Sequence, residues 1–167
     1  MRAALAFRAV VVAAALASVV ATASCDDDNG ELEASRELLE RVLGMDYRTW
    51  QRPEGWETLR ESGAPHGKYT EIFVNDVIVE ALASDAPLEA WPVGAIIVKD
   101  GWKNEEASDR AILAIMEKRD AGWYWEEYSG AIESDSLPAF AGQAPDPRLC
   151  TDCHAGGSDF VHAFTLP

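Results

Sequence analysis

The chain has 167 residues and a net charge of −15 at neutral pH, with 14 basic side chains against 29 acidic ones. A surface this negative repels phosphate backbones and anionic headgroups, so nucleic acid is excluded as an expected partner. No repeat of 20–50 residues is visible, which excludes a solenoid or propeller, and the length suits one compact domain.

In chain order, Arg2 and Arg8 introduce an apolar run from Ala9 to Ala23. That run falls short of the roughly 20 residues a membrane span needs and reads as a secretory signal over residues 1–24. Two cleavage patterns are present. Ala21-Thr22-Ala23 fits a small-x-small site. Thr22-Ala23-Ser24-Cys25 resembles a bacterial lipobox, although Thr22 stands where a large aliphatic residue is usual. Of three cysteines, two form a CxxC pair and Cys25 is left over. Acylation of Cys25 accounts for an otherwise unpaired exported thiol. The expectation is a protein of the periplasm or cell envelope, held to a membrane through a lipid anchor only. Removing residues 1–24, with their two arginines and no acid, takes the charge to −17.

Residues 25–30 read as a polar tether, and residues 31–167 as one domain. Leu32, Leu38, Leu39, Val42 and Leu43 give Glu31–Leu43 helical spacing, with Gly44 as C-cap. Residues 45–67 carry Pro53, Gly55, Gly63, Pro65 and Gly67 and read as loop. Lys68–Asn75 alternates as a strand, and Val77–Ser84 either continues it or forms a short helix. Ala95–Lys99 is a further strand. Arg110–Ser129 reads as a β-hairpin turning at Asp120-Ala121-Gly122, with Trp123 and Trp125 on one face and Tyr124 on the other. Residues 130–147 hold three prolines and read as a long loop before a short helix ended by Gly156-Gly157. The fold class is α+β, mainly antiparallel β-sheet with a few helices.

The chemistry lies near the C-terminus. Cys150-Thr151-Asp152-Cys153-His154 is the attachment signature of c-type haem. Two thiols three residues apart add to the two vinyl groups on one porphyrin edge, and the next residue brings its imidazole to iron. The cofactor expected is therefore haem c, bound covalently through Cys150 and Cys153 with His154 as the iron's axial ligand. A structural zinc site needs four ligands, and only His66 and His162 remain, at unsuitable spacing. A thioredoxin-like dithiol would lack its βαβ context. No Met follows His154, Met116 sits in an apolar run and reads as core, and His162 is close in sequence to His154. The sixth position of the iron reads as open.

Several segments in order resemble the cytochrome P460 family, which includes the cytochromes c′-β. They are Tyr47-Arg48-Thr49-Trp50, Pro65-His66-Gly67, Thr70–Asn75, Pro92–Asp100, Met116-Glu117-Lys118, Trp123-Tyr124-Trp125 and the terminal CxxCH with Asp159-Phe160-Val161. The resemblance implies a homodimeric antiparallel β fold with a pentacoordinate haem. In P460 members a lysine is cross-linked to the porphyrin and hydroxylamine is oxidised; c′-β members lack the cross-link and bind nitric oxide in an aromatic-lined pocket. Lys99 occupies the lysine position of the Gly-x-x-x-Val-Lys-acid segment, against the plainer reading of a solvated lysine at a strand end. His66, Phe73, Trp123 and Trp125 are the distal-pocket candidates, against the plainer readings of core packing for the two tryptophans and a structural hydrogen bond for His66, while Glu126 and Glu127 read as solvated. Three functions stay open: a P460-type oxidase of hydroxylamine, a nitric oxide binder, and an electron carrier with another sixth ligand. Each requires a small-molecule ligand, a redox partner protein, or both.

Overall fold

The computed structural model describes residues 26–167; the signal segment and Cys25 lie outside them. The elements run α1 (Asp26–Gly44), a 3-10 turn (Tyr47–Thr49), β1 (Arg60–Glu61), β2 (Tyr69–Val74), α2 (Asp76–Leu82), β3 (Ile96–Trp102), β4 (Arg110–Arg119), β5 (Gly122–Ser129), β6 (Phe140–Gln143) and α3 (Arg148–His154). The six strands form one antiparallel sheet in sequence order, β1 to β6. The fold is α+β, and no helix of the described residues is long and apolar enough to cross a membrane.

Three departures from the sequence reading, and the choice of helix over strand after Asn75, have local causes. Helix α1 begins at Asp26, so most of the expected tether is helical. Residues 76–82 form a helix because Asn75 caps it: its Oδ1 accepts from Ile78 N at 3.4 Å and Ile96 N at 3.0 Å, while Nδ2 donates to the Gly94 carbonyl at 2.8 Å. One side chain thus ends β2, opens α2 and starts β3. Arg60–Glu61 in the first loop and Phe140–Gln143 in the second are edge strands. Both are too short for alternation to reveal, and β6 exists because it pairs with β5 from Tyr124↔Gln143 to Glu127↔Phe140. The hairpin is as expected, with Arg119 paired to Gly122 and φ +115° at the glycine.

Alternation sorts the side chains onto two covered faces. One face packs Phe73, Val98, Leu113, Ile115 and Tyr124 under Leu38, Leu39 and Val42 of α1. The other gathers Ile72, Val74, Ile97, Met116, Trp123 and Trp125 with Ile78 of α2, Trp91 and Val161. Covering both faces explains why β3 opens on the unbroken apolar run Ile96–Val98 before Lys99 and Asp100. The α1 face also buries charge. There Asp100 is fully buried, and it accepts from Tyr47 Oη at 2.8 Å and lies 2.9 Å from Arg110 Nη2. Burial and the adjacent carboxylate push the Tyr47 phenol up to about 12.

Glu126 corrects the sequence reading: it is 2 % exposed, not solvated. Its Oε2 accepts from Tyr128 Oη at 2.8 Å, and burial pushes its carboxyl up to about 8. A glutamic acid with a raised folded-state pKa keeps its proton longer in the fold than in the unfolded chain. Its contribution to stability is complete below about pH 4.5 and is lost as pH climbs towards about 8. The slope is at most about 1.4 kcal/mol per pH unit. Glu126→Gln should therefore flatten the decline in urea midpoint between pH 5 and pH 8; equal slopes in both proteins would contradict a protonated buried Glu126.

Candidate functional site

Register alone brings the site together. Ile72 pairs with Lys99, Lys99 with Ala114, and Ala114 with Glu127, making one row across four strands. The next row on that face is Val74, Ile97, Met116 and Trp125. All of these residues except Val74 line a cleft with an interior of about 90 Å³, opening through a mouth that brings the whole space to about 640 Å³. Helix α3 closes the other side with Cys150 and His154, and His66 and His162 also line the cleft.

His154 has a defined tautomer. Its Nδ1 lies 2.8 Å from the Phe160 carbonyl, an oxygen that can only accept, so Nδ1 carries the proton and Nε2 keeps the lone pair. Desolvation is the main cause holding the His154 pKa below the ordinary histidine value, with the Phe160 bond opposing it and His66, His162 and Lys99 assisting. A neutral imidazole with a free Nε2 is what an iron ligand requires. The Trp125 ring lies 4.8 Å from the His154 ring, and the His162 ring 5.4 Å. His162 Nε2 is 3.1 Å from the Cys153 carbonyl.

His66 faces the same space, its ring centroid 6.3 Å from that of His154. Its Nδ1 is 2.9 Å from Glu127 Oε2. The loop carrying His66 can lie flat on the sheet because two glycines meet there. A Cβ on Gly101 would stand 1.8 Å from the His66 carbonyl oxygen, and one on Gly67, where φ is +104°, would reach the Gly101 and Trp102 backbone at 2.8–2.9 Å.

Lys99 is not the solvated strand-end lysine of the plainer reading. It lines the cleft, and desolvation lowers its pKa against the opposing charges of Glu127 and Cys153. Burial likewise pushes the Cys150 thiol up to about 11, followed in effect by Glu127 and Cys153. Cys150 and Cys153 are free thiols. Glu127 is the residue that sequence reasoning missed. Placed as solvated, it has a side chain only 20 % exposed between His66 and Lys99. The signal available was its even spacing from Trp123 and Trp125 along the hairpin.

Two candidates fall elsewhere. Phe73 points to the α1 face, with its ring 5.5 Å from Tyr47, because it is one residue out of phase with Ile72. Trp123 shares the cleft face and lies 6.4 Å from Trp125, but packs beneath Lys118 and donates to the Asp159 carbonyl at 2.8 Å rather than lining the cleft. Met116, read as core, is 7 % exposed and also borders the cleft.

The cytochrome P460 family model matches residues 45–163. The chain belongs to the cytochrome P460 family. No curated protein and no solved structure matches it. Membership brings a haem cofactor, and the residues present fit one. The cleft is walled by apolar side chains, a thiol and an imidazole with a free Nε2 stand on one side of it, and the buried Trp125 Nε1 has no partner among the described residues. That indole N–H is a donor which an occupant would satisfy. Among the described residues, no group of three or more His, Cys, Asp and Glu is arranged to hold a bare metal ion.

Gly101→Ala tests the placement of His66. The clash is with backbone, so the loop must move, and a loss of at least about 1–3 kcal/mol is expected from denaturant unfolding. A variant as stable as wild type would show that the loop does not rest on Gly101.

Proposed function

We propose that this protein is an exported mono-haem c-type cytochrome that oxidises hydroxylamine or a related small nitrogen compound at an open iron site. The observation carrying the proposal is the convergence of Lys99, Glu127 and His66 on one apolar cleft with Cys150 and His154. Bound haem supplies a redox-active iron with an exchangeable position for a small ligand. Cys150 and Cys153 would hold the group to α3, and His154 would offer its free Nε2 to the iron.

The remaining work belongs to the chain. Oxidation of hydroxylamine releases protons, and an apolar cleft has little water to take them. Glu127 Oε2 accepts such a proton, and His66, bonded to the same oxygen through Nδ1, passes it on through Nε2. Ile72, Ile97, Met116 and Trp125 exclude bulk water and leave room for small, weakly charged molecules only. In this reading Lys99 would be bonded to the porphyrin rim, one N–H and one C–H giving way to an N–C bond with the two electrons taken by an oxidant of the peroxide class. The burial of Lys99 favours the neutral amine, which is the nucleophilic form, and Lys99 stands directly across from Ala114, whose methyl leaves the approach free. The same apolar cleft supports the alternative of a nitric oxide carrier, since nitric oxide is small, uncharged and releases no proton on binding.

Export, the anchor at Cys25, a redox partner protein and a homodimer complete the proposal, on the sequence reading and the family resemblance. The holoprotein should retain haem through denaturing electrophoresis, and replacing Cys150 and Cys153 with Ser should abolish that haem. With haem attached, Glu127→Gln should cut hydroxylamine turnover by about 10²–10⁴-fold, the usual worth of a positioned acid–base group. Unchanged nitric oxide affinity in that variant would complete the expected pattern. Wild-type holoprotein that binds nitric oxide but never turns over hydroxylamine would replace oxidation by ligand carriage.

A further inference from the structure

Residues 157–161 form a tight loop directly behind His154, and its construction exceeds what chain reversal needs. Asp159 and Phe160 both adopt left-handed backbone, with φ 44° and 67°, although neither is glycine. Ser158 and Val161 close the loop with reciprocal backbone bonds of 2.8 and 3.1 Å. A Cβ on Gly157 would meet the Val161 backbone at 2.7–2.8 Å, so the loop closes this tightly only on glycine. This geometry turns the Phe160 carbonyl towards His154, where it accepts from Nδ1.

Something must hold two consecutive residues in that conformation, and Asp159 is gripped from three sides. Lys118 Nζ lies 2.9 and 2.8 Å from its two carboxylate oxygens. The Trp91 backbone N–H donates to Oδ2 at 2.8 Å, and Trp123 Nε1 donates to the Asp159 carbonyl at 2.8 Å. The side chains of Lys118 and Asp159 are only 14 % and 13 % exposed, so the pair is shielded from solvent and from salt. Lys118 is itself fixed at the end of β4, its N–H on the Ala95 carbonyl and its Nζ 5.3 Å from the Trp123 ring centroid. The sheet is thereby connected to the histidine through one ion pair and one peptide unit.

We propose that Asp159, clamped by Lys118, is a positioning residue that fixes the Phe160 carbonyl on His154 Nδ1 and so sets the strength of His154 as a haem iron ligand. The inference rests on the reading of His154 as that ligand. A well-placed acceptor at Nδ1 gives the imidazole partial anionic character, strengthens its donation through Nε2 and favours ferric over ferrous iron. Loosening the carbonyl weakens all three.

The test uses holoprotein and two spectroscopic readouts, the reduction potential and the iron–histidine stretching frequency of the ferrous state. Asp159→Asn keeps the shape of the side chain and removes the charge; it should raise the potential and lower the stretching frequency. Lys118→Met, which leaves the loop sequence intact, should shift both in the same direction, and Lys118→Arg should restore wild-type values. A loop that serves stability alone would give lower melting temperatures in Asp159→Asn and Lys118→Met with potential and frequency unmoved, and that result would overturn the proposal. His154→Gly separates the two layers. An unaltered haem spectrum in that variant would remove His154 as ligand and the positioning role with it. A changed spectrum there, with no shift from either clamp variant, would overturn the positioning role alone.

Discussion

The period-two alternation of β3, β4 and β5, fixed by antiparallel pairing, is the constraint on which the site depends. It sends Lys99, Ala114 and Glu127 to one face and Asp100, Leu113, Ile115 and Glu126 to the other. A slip of one residue in β5 would exchange Glu127 for Glu126, moving the carboxylate that meets His66 under α1 and bringing a residue bonded to Tyr128 into the cleft. Register is protected against such a slip because both faces are buried. Trp123 and Trp125 fit only the cleft side, Tyr124 and Tyr128 only the α1 side, and the turn at Asp120-Ala121 permits no slack.

Burial on both faces also governs the electrostatics. Adjacent glutamates on one strand meet opposite conditions: Glu126 is enclosed beside a phenol and pushed towards the neutral acid, while Glu127 faces an imidazole and a lysine. Lys99 and His154, on opposing walls of the cleft, are both shifted towards their neutral forms by desolvation. A single apolar enclosure thus acts on both groups, and the loop at Asp159-Phe160 directs the imidazole by fixing its tautomer.

Much of this was legible in the sequence, for identifiable reasons. The CxxCH segment is local, so its placement on a short helix follows from residues 148–154 alone. The hairpin was legible because a two-residue turn sits between long alternating runs. Lys99 drew attention through family resemblance, whereas its burial depends on Ile72 and Ala114 from neighbouring strands, which no window around residue 99 contains. Glu127 and Phe73 were misplaced for one reason: phase. A charged residue suggests solvent and an aromatic beside the family motif suggests the pocket, but alternation puts Glu127 with the tryptophans and Phe73 with Tyr47. The short edge strands β1 and β6 carry no periodic signal and exist only through pairing.

The most direct measurement is peptide mass spectrometry of proteolysed holoprotein. The proposed function predicts a haem that joins two stretches of chain, the segment holding Cys150 and Cys153 and the segment holding Lys99. Haem recovered only on the Cys150–Cys153 segment, with Lys99 unmodified, would contradict the cross-linked oxidase and leave a cleft built to carry nitric oxide.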